Sequence, residues 1–114
     1  MIDRKAINHI KEAVRDEILK IREDHGNEYH STHEGYAVLL EEFEECKEEA
    51  ERMGVQLDEL WTMIRFNDNA RLWNQLGTIK EFALACAAEA IQVAAVCEKF
   101  KDTVTGIEVF GENK

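Results

Sequence analysis

Glu89 and Gln92 are the only polar residues in FALACAAEAIQVAAVC, residues 82–97, and their spacing puts both on one face of a helix. A carboxylate left uncompensated among apolar side chains costs several kcal/mol, on the scale of a small domain's whole stability. A cation is the compensator these residue types favour. A second acidic stretch, LLEEFEECKEE over residues 39–49, offers Glu42 and Glu45 at the same spacing. Clusters of carboxylate and amide oxygens suit hard divalent ions such as Mg²⁺ or Mn²⁺. The two stretches are therefore read as halves of one metal site, with Glu42, Glu45, Glu89 and Gln92 as its ligands.

Each stretch also has an ordinary structural reading. A Glu-rich run can be a solvated helix face, and Glu89 is satisfied if Arg65, Arg71 or a His from another helix pairs with it. Against the first, only Lys47 and Arg52 lie near enough in sequence to offset the run. Like charges three or four residues apart destabilise a helix by ~0.2–0.5 kcal/mol per pair, and a divalent ion turns that repulsion into a binding determinant. His30 and His33 flank a helix start. They are either surface residues or, one to three turns before Glu42, residues at the rim of a cleft that touches phosphate or base. No His has a Glu three residues before it, which removes the ExxH signature of a ferritin-type di-iron bundle.

Composition bounds the class. A chain of 114 residues has room for one domain and a modest core. With no proline, six glycines and long stretches of Ala, Glu, Leu and Lys, it reads as all-α. The net charge of −10 opposes direct binding to a nucleic-acid backbone, and favours cations or cation-bridged phosphates. Cys46, Cys86 and Cys97 are odd in number and lack CxxC spacing, so they read as reduced core thiols rather than zinc ligands. Residues 1–10 hold Asp3, Arg4, Lys5 and His9 without an apolar run, so no secretory leader is expected. Residues 82–97 fall short of the ~20 apolar residues a span requires. The expectation is a cytoplasmic protein with no membrane partner.

The elements that must position the acidic residues are read as four to five helices in an antiparallel bundle. It covers residues 1–102, with residues 103–114 as a tail or short extended arm. Ile7, Ile10, Val14, Ile18 and Ile21 recur at helical intervals and stop near His25-Gly26-Asn27. Ser31 followed by Glu34 fits a capping box, after which Tyr36, Leu39, Leu40, Phe43, Cys46 and Ala50 trace one apolar face, bordered by Glu42, Glu45 and Glu49. Gly54 is read as closing this helix, a short third helix follows over residues 55–66, and Asn67-Asp68-Asn69 is the next turn. From about Arg71 the helical pattern returns and runs to about Phe100, with or without a kink at Gly77. Seven alanines between Ala83 and Ala95 permit close helix approach, as the centre of a bundle or of a homodimer or homotetramer requires.

HEGYAVLLEEFEECKEE, residues 33–49, followed by EAIQVAA, residues 89–95, resembles the MazG-like all-α nucleoside triphosphate pyrophosphohydrolases, particularly their short phage and prophage members. The two blocks cover about a fifth of the chain. The resemblance implies an oligomeric helical bundle that binds Mg²⁺ through an ExxE motif and a later ExxD motif. By position, Glu42, Glu45 and Glu89 would be ligands, with Gln92 where the family usually has Asp. A neutral amide supplies an oxygen but no charge, so metal affinity or metal number should be lower. The implied reaction is attack of water at the α–β linkage of a nucleoside triphosphate, giving a nucleoside monophosphate and pyrophosphate. A carboxylate such as Glu41 or Glu49 would orient or deprotonate the water. His33 and Lys99 are carried as substrate-binding residues, Lys99 either reaching the outer phosphates or standing in solvent. The alternatives are a catalytically impaired protein of the same fold that binds nucleotide or a protein partner, and a purely structural dimerisation module.

Overall fold

Asp3 opens the first helix. Its side-chain oxygen accepts a hydrogen bond from the Ala6 backbone N–H at 2.9 Å, and α1 then runs Arg4–His25. Gly26 ends it at φ +84°, a conformation a side-chain-bearing residue rarely adopts. The structure, a computed structural model, describes the backbone of residues 2–110 and the side chains of residues 2–106. Ser31 caps α2, Thr32–Arg65, by accepting from the Glu34 N–H at 3.1 Å. Glu34 reaches back one residue further than a capping box requires, accepting from the His30 N–H at 3.0 Å. Asn67 turns the chain at φ 55°, and α3 spans Asn69–Phe110.

The described residues thus form an all-α fold of three helices, not four to five. Gly54 does not close a helix: α2 passes through it, and residues 55–65 continue the same rod. Nor does Gly77 interrupt α3. A glycine inside a helix costs only about 1 kcal/mol relative to alanine, and both glycines lie within long runs of good helix formers. The segment read as a tail from residue 103 is helical through Phe110, and residues 111–114 lie outside the described part.

α2 and α3 form an antiparallel hairpin. Cys46 faces Cys86, each sulfur within 3.9 Å of the other residue's carbonyl oxygen. Further along, the Gln75 amide donates to the Gln56 carbonyl at 2.8 Å. α1 packs on α3 and not on α2. The pairings of Glu17 with Gln92 and of Arg22 with Asp102 advance together along both helices, so α1 runs alongside α3 in the same sense. Two helices on one, with no contact between the two, leave a furrow whose floor is α3.

Where the helices converge, Gly35 lies so near the Phe100 ring that a Cβ there would sit 2.9 Å from it. Tyr29 meets Phe100 edge to face at 6.2 Å. The buried apolar set among the described residues is small: Ile18, Tyr29, Met63, Ala95 and Val96. The α2 face that the sequence marks as apolar is largely outward, with Tyr36, Leu40 and Phe43 exposed, while half-buried Glu42, Cys46 and Glu49 turn inward. Cys97 is exposed rather than part of the core. The radius of gyration is 19.0 Å, against about 13 Å for a compact domain of this length. No described helix is long and apolar enough to cross a membrane.

Candidate functional site

The two acidic stretches meet. Glu42 and Glu45 project from α2 one turn apart, and the antiparallel register brings Glu89 of α3 to them, so that one carboxylate oxygen from each lies within 4.8 Å of the others. Burial, and then the neighbouring Glu45 and Glu89 charges, push the Glu42 carboxyl above its ordinary pKa of 4.5. Burial, and then Glu45 and Glu49, do the same to Glu89. Among the described residues no cation pairs with any of the three. Arg71 is taken by Asp68 at 3.3 Å, Arg65 lies over the Phe66 ring, and Lys47 and Arg52 bind Glu51 and Glu49. Mutually repelling oxygens gathered without a counterion fit a hard divalent cation in charge, ligand type and number.

Gln92 lies one turn beyond Glu89 and is already engaged. Its amide nitrogen donates to the Glu17 carboxylate of α1 at 2.9 Å. This accounts for an amide at that position, since a carboxylate there would meet another carboxylate.

The furrow beside the triad is a cleft of about 630 Å³. Its floor is Gln92, Val96 and Lys99 of α3. One wall is α1, with Glu17, Lys20 and Asp24, and the other is α2, with Glu34, Glu41 and Glu42. His25, Tyr29 and His30 close the end where the α1–α2 connection crosses. Glu42 belongs to both the triad and the cleft and so joins them.

Of the two residues put forward as base, Glu41 stands on the cleft wall. Glu49 is a shielded side chain held by Arg52 at 2.7 Å. Lys99 is not a solvent-exposed lysine but is 3% exposed on the cleft floor. His33 is exposed and outside the cleft lining, whereas His30 belongs to it. The whole contribution of α1, Glu17 above all, is missing from the sequence reading. Glu17 carries no local signature, and its one clue is that it precedes Ile18 on the flank of the apolar stripe.

No protein-family model, curated protein or solved structure matches the chain. The functional reading therefore rests on the site's own residues.

Proposed function

We propose that the chain is a Mg²⁺-dependent nucleoside triphosphate pyrophosphohydrolase of the MazG-like kind, cleaving the α–β linkage to give a nucleoside monophosphate and pyrophosphate. The single observation that carries this reading is the convergence of Glu42, Glu45 and Glu89 beside a cleft of nucleotide dimensions. These three residues would hold the ion, with Mn²⁺ able to replace Mg²⁺; when bound, it supplies neutralisation of phosphate charge and a lowered pKa for water. Glu41 is the better base, because it is among the residues lining the cleft and makes no ion pair among the described residues, while the Glu49 carboxylate is tied to Arg52. It accepts a proton from the attacking water at a carboxylate oxygen, within a site that α1 and α2 shield from both sides.

The bond from Gln92 to Glu17 favours a second reading. A neutral amide held by its nitrogen to Glu17 can offer the site an oxygen but no charge, which fits a protein that binds nucleotide without turnover. One experiment separates the two: thermal stability followed during Mg²⁺ titration, together with pyrophosphate release from a panel of nucleoside triphosphates. Stabilisation with release supports the hydrolase, stabilisation without release supports the binding protein, and neither response defeats both.

Homodimer or homotetramer formation belongs to the proposal. Tyr36, Leu40 and Phe43 line one exposed face of α2, and Trp61 and Trp73 are also open to solvent. Three helices that bury so few side chains leave a core for a second copy to complete. Sedimentation equilibrium should give a multiple of 13.2 kDa; a monomer at micromolar concentration refutes this part.

A further inference from the structure

Cys46 and Cys86 are 40 residues apart in the chain and opposite one another across the α2–α3 hairpin, each sulfur within 3.9 Å of the other residue's carbonyl oxygen. The contact is reciprocal, so the two thiols lie side by side between the backbones. Ala85, beside Cys86 and likewise half-buried, keeps the interface thin enough for this approach. Both thiols keep some exposure to solvent. Cys97 stands apart: it is exposed and eleven residues further along α3, about 16 Å along the helix axis, beyond bonding reach of either.

The place of the pair matters as much as its geometry. Cys46 follows Glu45 directly, and Cys86 precedes Glu89 by one turn, so the thiols span the two helices at the level next to the triad. There the gathered carboxylates of Glu42, Glu45 and Glu89 repel one another and work to part α2 from α3. A covalent link at that level opposes the repulsion and lowers the cost of holding three carboxylates together before a cation arrives.

We propose that Cys46 and Cys86 form a redox-reactive dithiol that closes, by exchange with a small-molecule disulfide, into an intrachain clasp between α2 and α3 and so strengthens the hold of the triad on its cation. The clasp needs only the thiols; its effect on the cation rests on the metal site of the proposed hydrolase. One cysteine attacks as its thiolate and bonds to one sulfur of the small disulfide, whose own sulfur–sulfur bond breaks, and the departing thiolate takes up the proton that the cysteine released. The other cysteine then attacks the protein sulfur of this mixed disulfide, forming the Cys46–Cys86 bond and expelling a second small thiol, which carries the second proton. The chain loses two electrons and two protons, and the small disulfide gains both as two thiols. Excess small thiol runs the same steps backward.

The test is equilibration of Cys97→Ser with glutathione and its disulfide at mildly alkaline pH, which offsets the burial and the nearby Cys86 and Glu89 that hold the Cys46 thiol above its ordinary pKa of 9.0. Acid quenching and peptide mass mapping measure the closed form, in buffer and in concentrated urea. Closure should be favoured on the order of tenfold or more in the folded chain, because folding sets the thiols opposite one another, and the closed chain should melt several degrees above the reduced one. Equal closure in buffer and urea, or glutathione on each cysteine without the Cys46–Cys86 bond, overturns the clasp. Should Cys97→Ser not fold, the wild type serves instead, with Cys97 carrying glutathione alone; a bond from Cys97 to Cys46 or Cys86 within one chain overturns the pairing. By linkage, Mg²⁺ should raise the closed fraction at a fixed glutathione ratio, and Glu45→Gln should abolish the rise. If calorimetry shows Mg²⁺ binding the open and closed chains alike, the effect on the cation is refuted and the metal site stands. If Mg²⁺ binds neither, the metal site fails, and the clasp is still decided by its closure in buffer against urea.

Discussion

Gln92 of α3 donates its amide hydrogen to the Glu17 carboxylate of α1 at 2.9 Å, one turn from the triad that Glu89 completes. This bond fastens the outer helix to the floor of the cleft, and it couples the chemistry of residue 92 to the position of α1. An amide is the side chain that can both donate to Glu17 and leave an oxygen for another partner.

Gln92→Asp should therefore do two things at once. Without metal, two carboxylates face each other and α1 loosens, so the melting temperature falls by several degrees, about the effect of 1 kcal/mol in a domain of this size. With Mg²⁺, the added charge should tighten binding, on the order of tenfold. Thermal melts with and without Mg²⁺, together with calorimetry, check both. Unchanged Mg²⁺ affinity would place residue 92 outside the ion's reach.

Glu45→Gln and Glu89→Gln each remove one of the three converging charges. Pyrophosphate release should drop by about 10²-fold or more, the scale on which single groups that stabilise developing charge act, and the Mg²⁺-induced rise in melting temperature should vanish. Without metal, neither variant should melt below the wild type, because each relieves repulsion within the triad. Full activity in either variant would remove that residue from the ligand set.

Stability should depend on pH through the same groups. Glu42 and Glu89 titrate above 4.5 in the folded chain because burial and their neighbours penalise the anion. The folded protein consequently holds more protons than the unfolded chain between the two pKa values. The stability these groups permit is complete below about pH 4.5 and is lost as pH rises through their raised folded values. Glu42→Gln should flatten this decline in metal-free melts, and Mg²⁺ should oppose it most strongly at neutral pH. A Glu42→Gln profile parallel to that of the wild type between pH 4 and 7 would count against the raised value.

The glycines should divide by their surroundings. A Cβ at Gly54 or Gly77 meets nothing within 4 Å, and both residues sit inside helices, so Gly54→Ala and Gly77→Ala should each stabilise by about 0.5–1 kcal/mol. Gly35→Ala would drive a methyl into the Phe100 ring and should destabilise by about 1–3 kcal/mol. Denaturant unfolding of the three variants decides. A stable Gly35→Ala would mean that α2 and α3 can separate where they now touch.

How far the sequence carried the reading follows from which signals are local. The α1 stop at Gly26 and the Ser31 cap were legible because each is set by residues a few positions apart. Gly54 misled for the same reason. As a local signal it ends helices, but a few tenths to 1 kcal/mol of propensity loses to the packing of a long rod on α3. The apolar face of α2 was legible as a pattern but not in direction. Nothing in Tyr36, Leu40 and Phe43 says whether they face α3 or solvent, and here the acidic flank is the one turned inward.

The spacing of Glu42 with Glu45 and of Glu89 with Gln92 fixed which side chains share a helix face, because the turn of an α-helix is the same in every context. Whether the two faces meet, which helix supplies Glu17, and that Lys99 is buried rather than solvated were decided only by tertiary structure. They depend on the register of α2 against α3 and on the seat of α1, and both are set by packing between residues tens of positions apart. A one-turn slide of α2 along α3 would keep every local signal and separate the triad by about 5 Å.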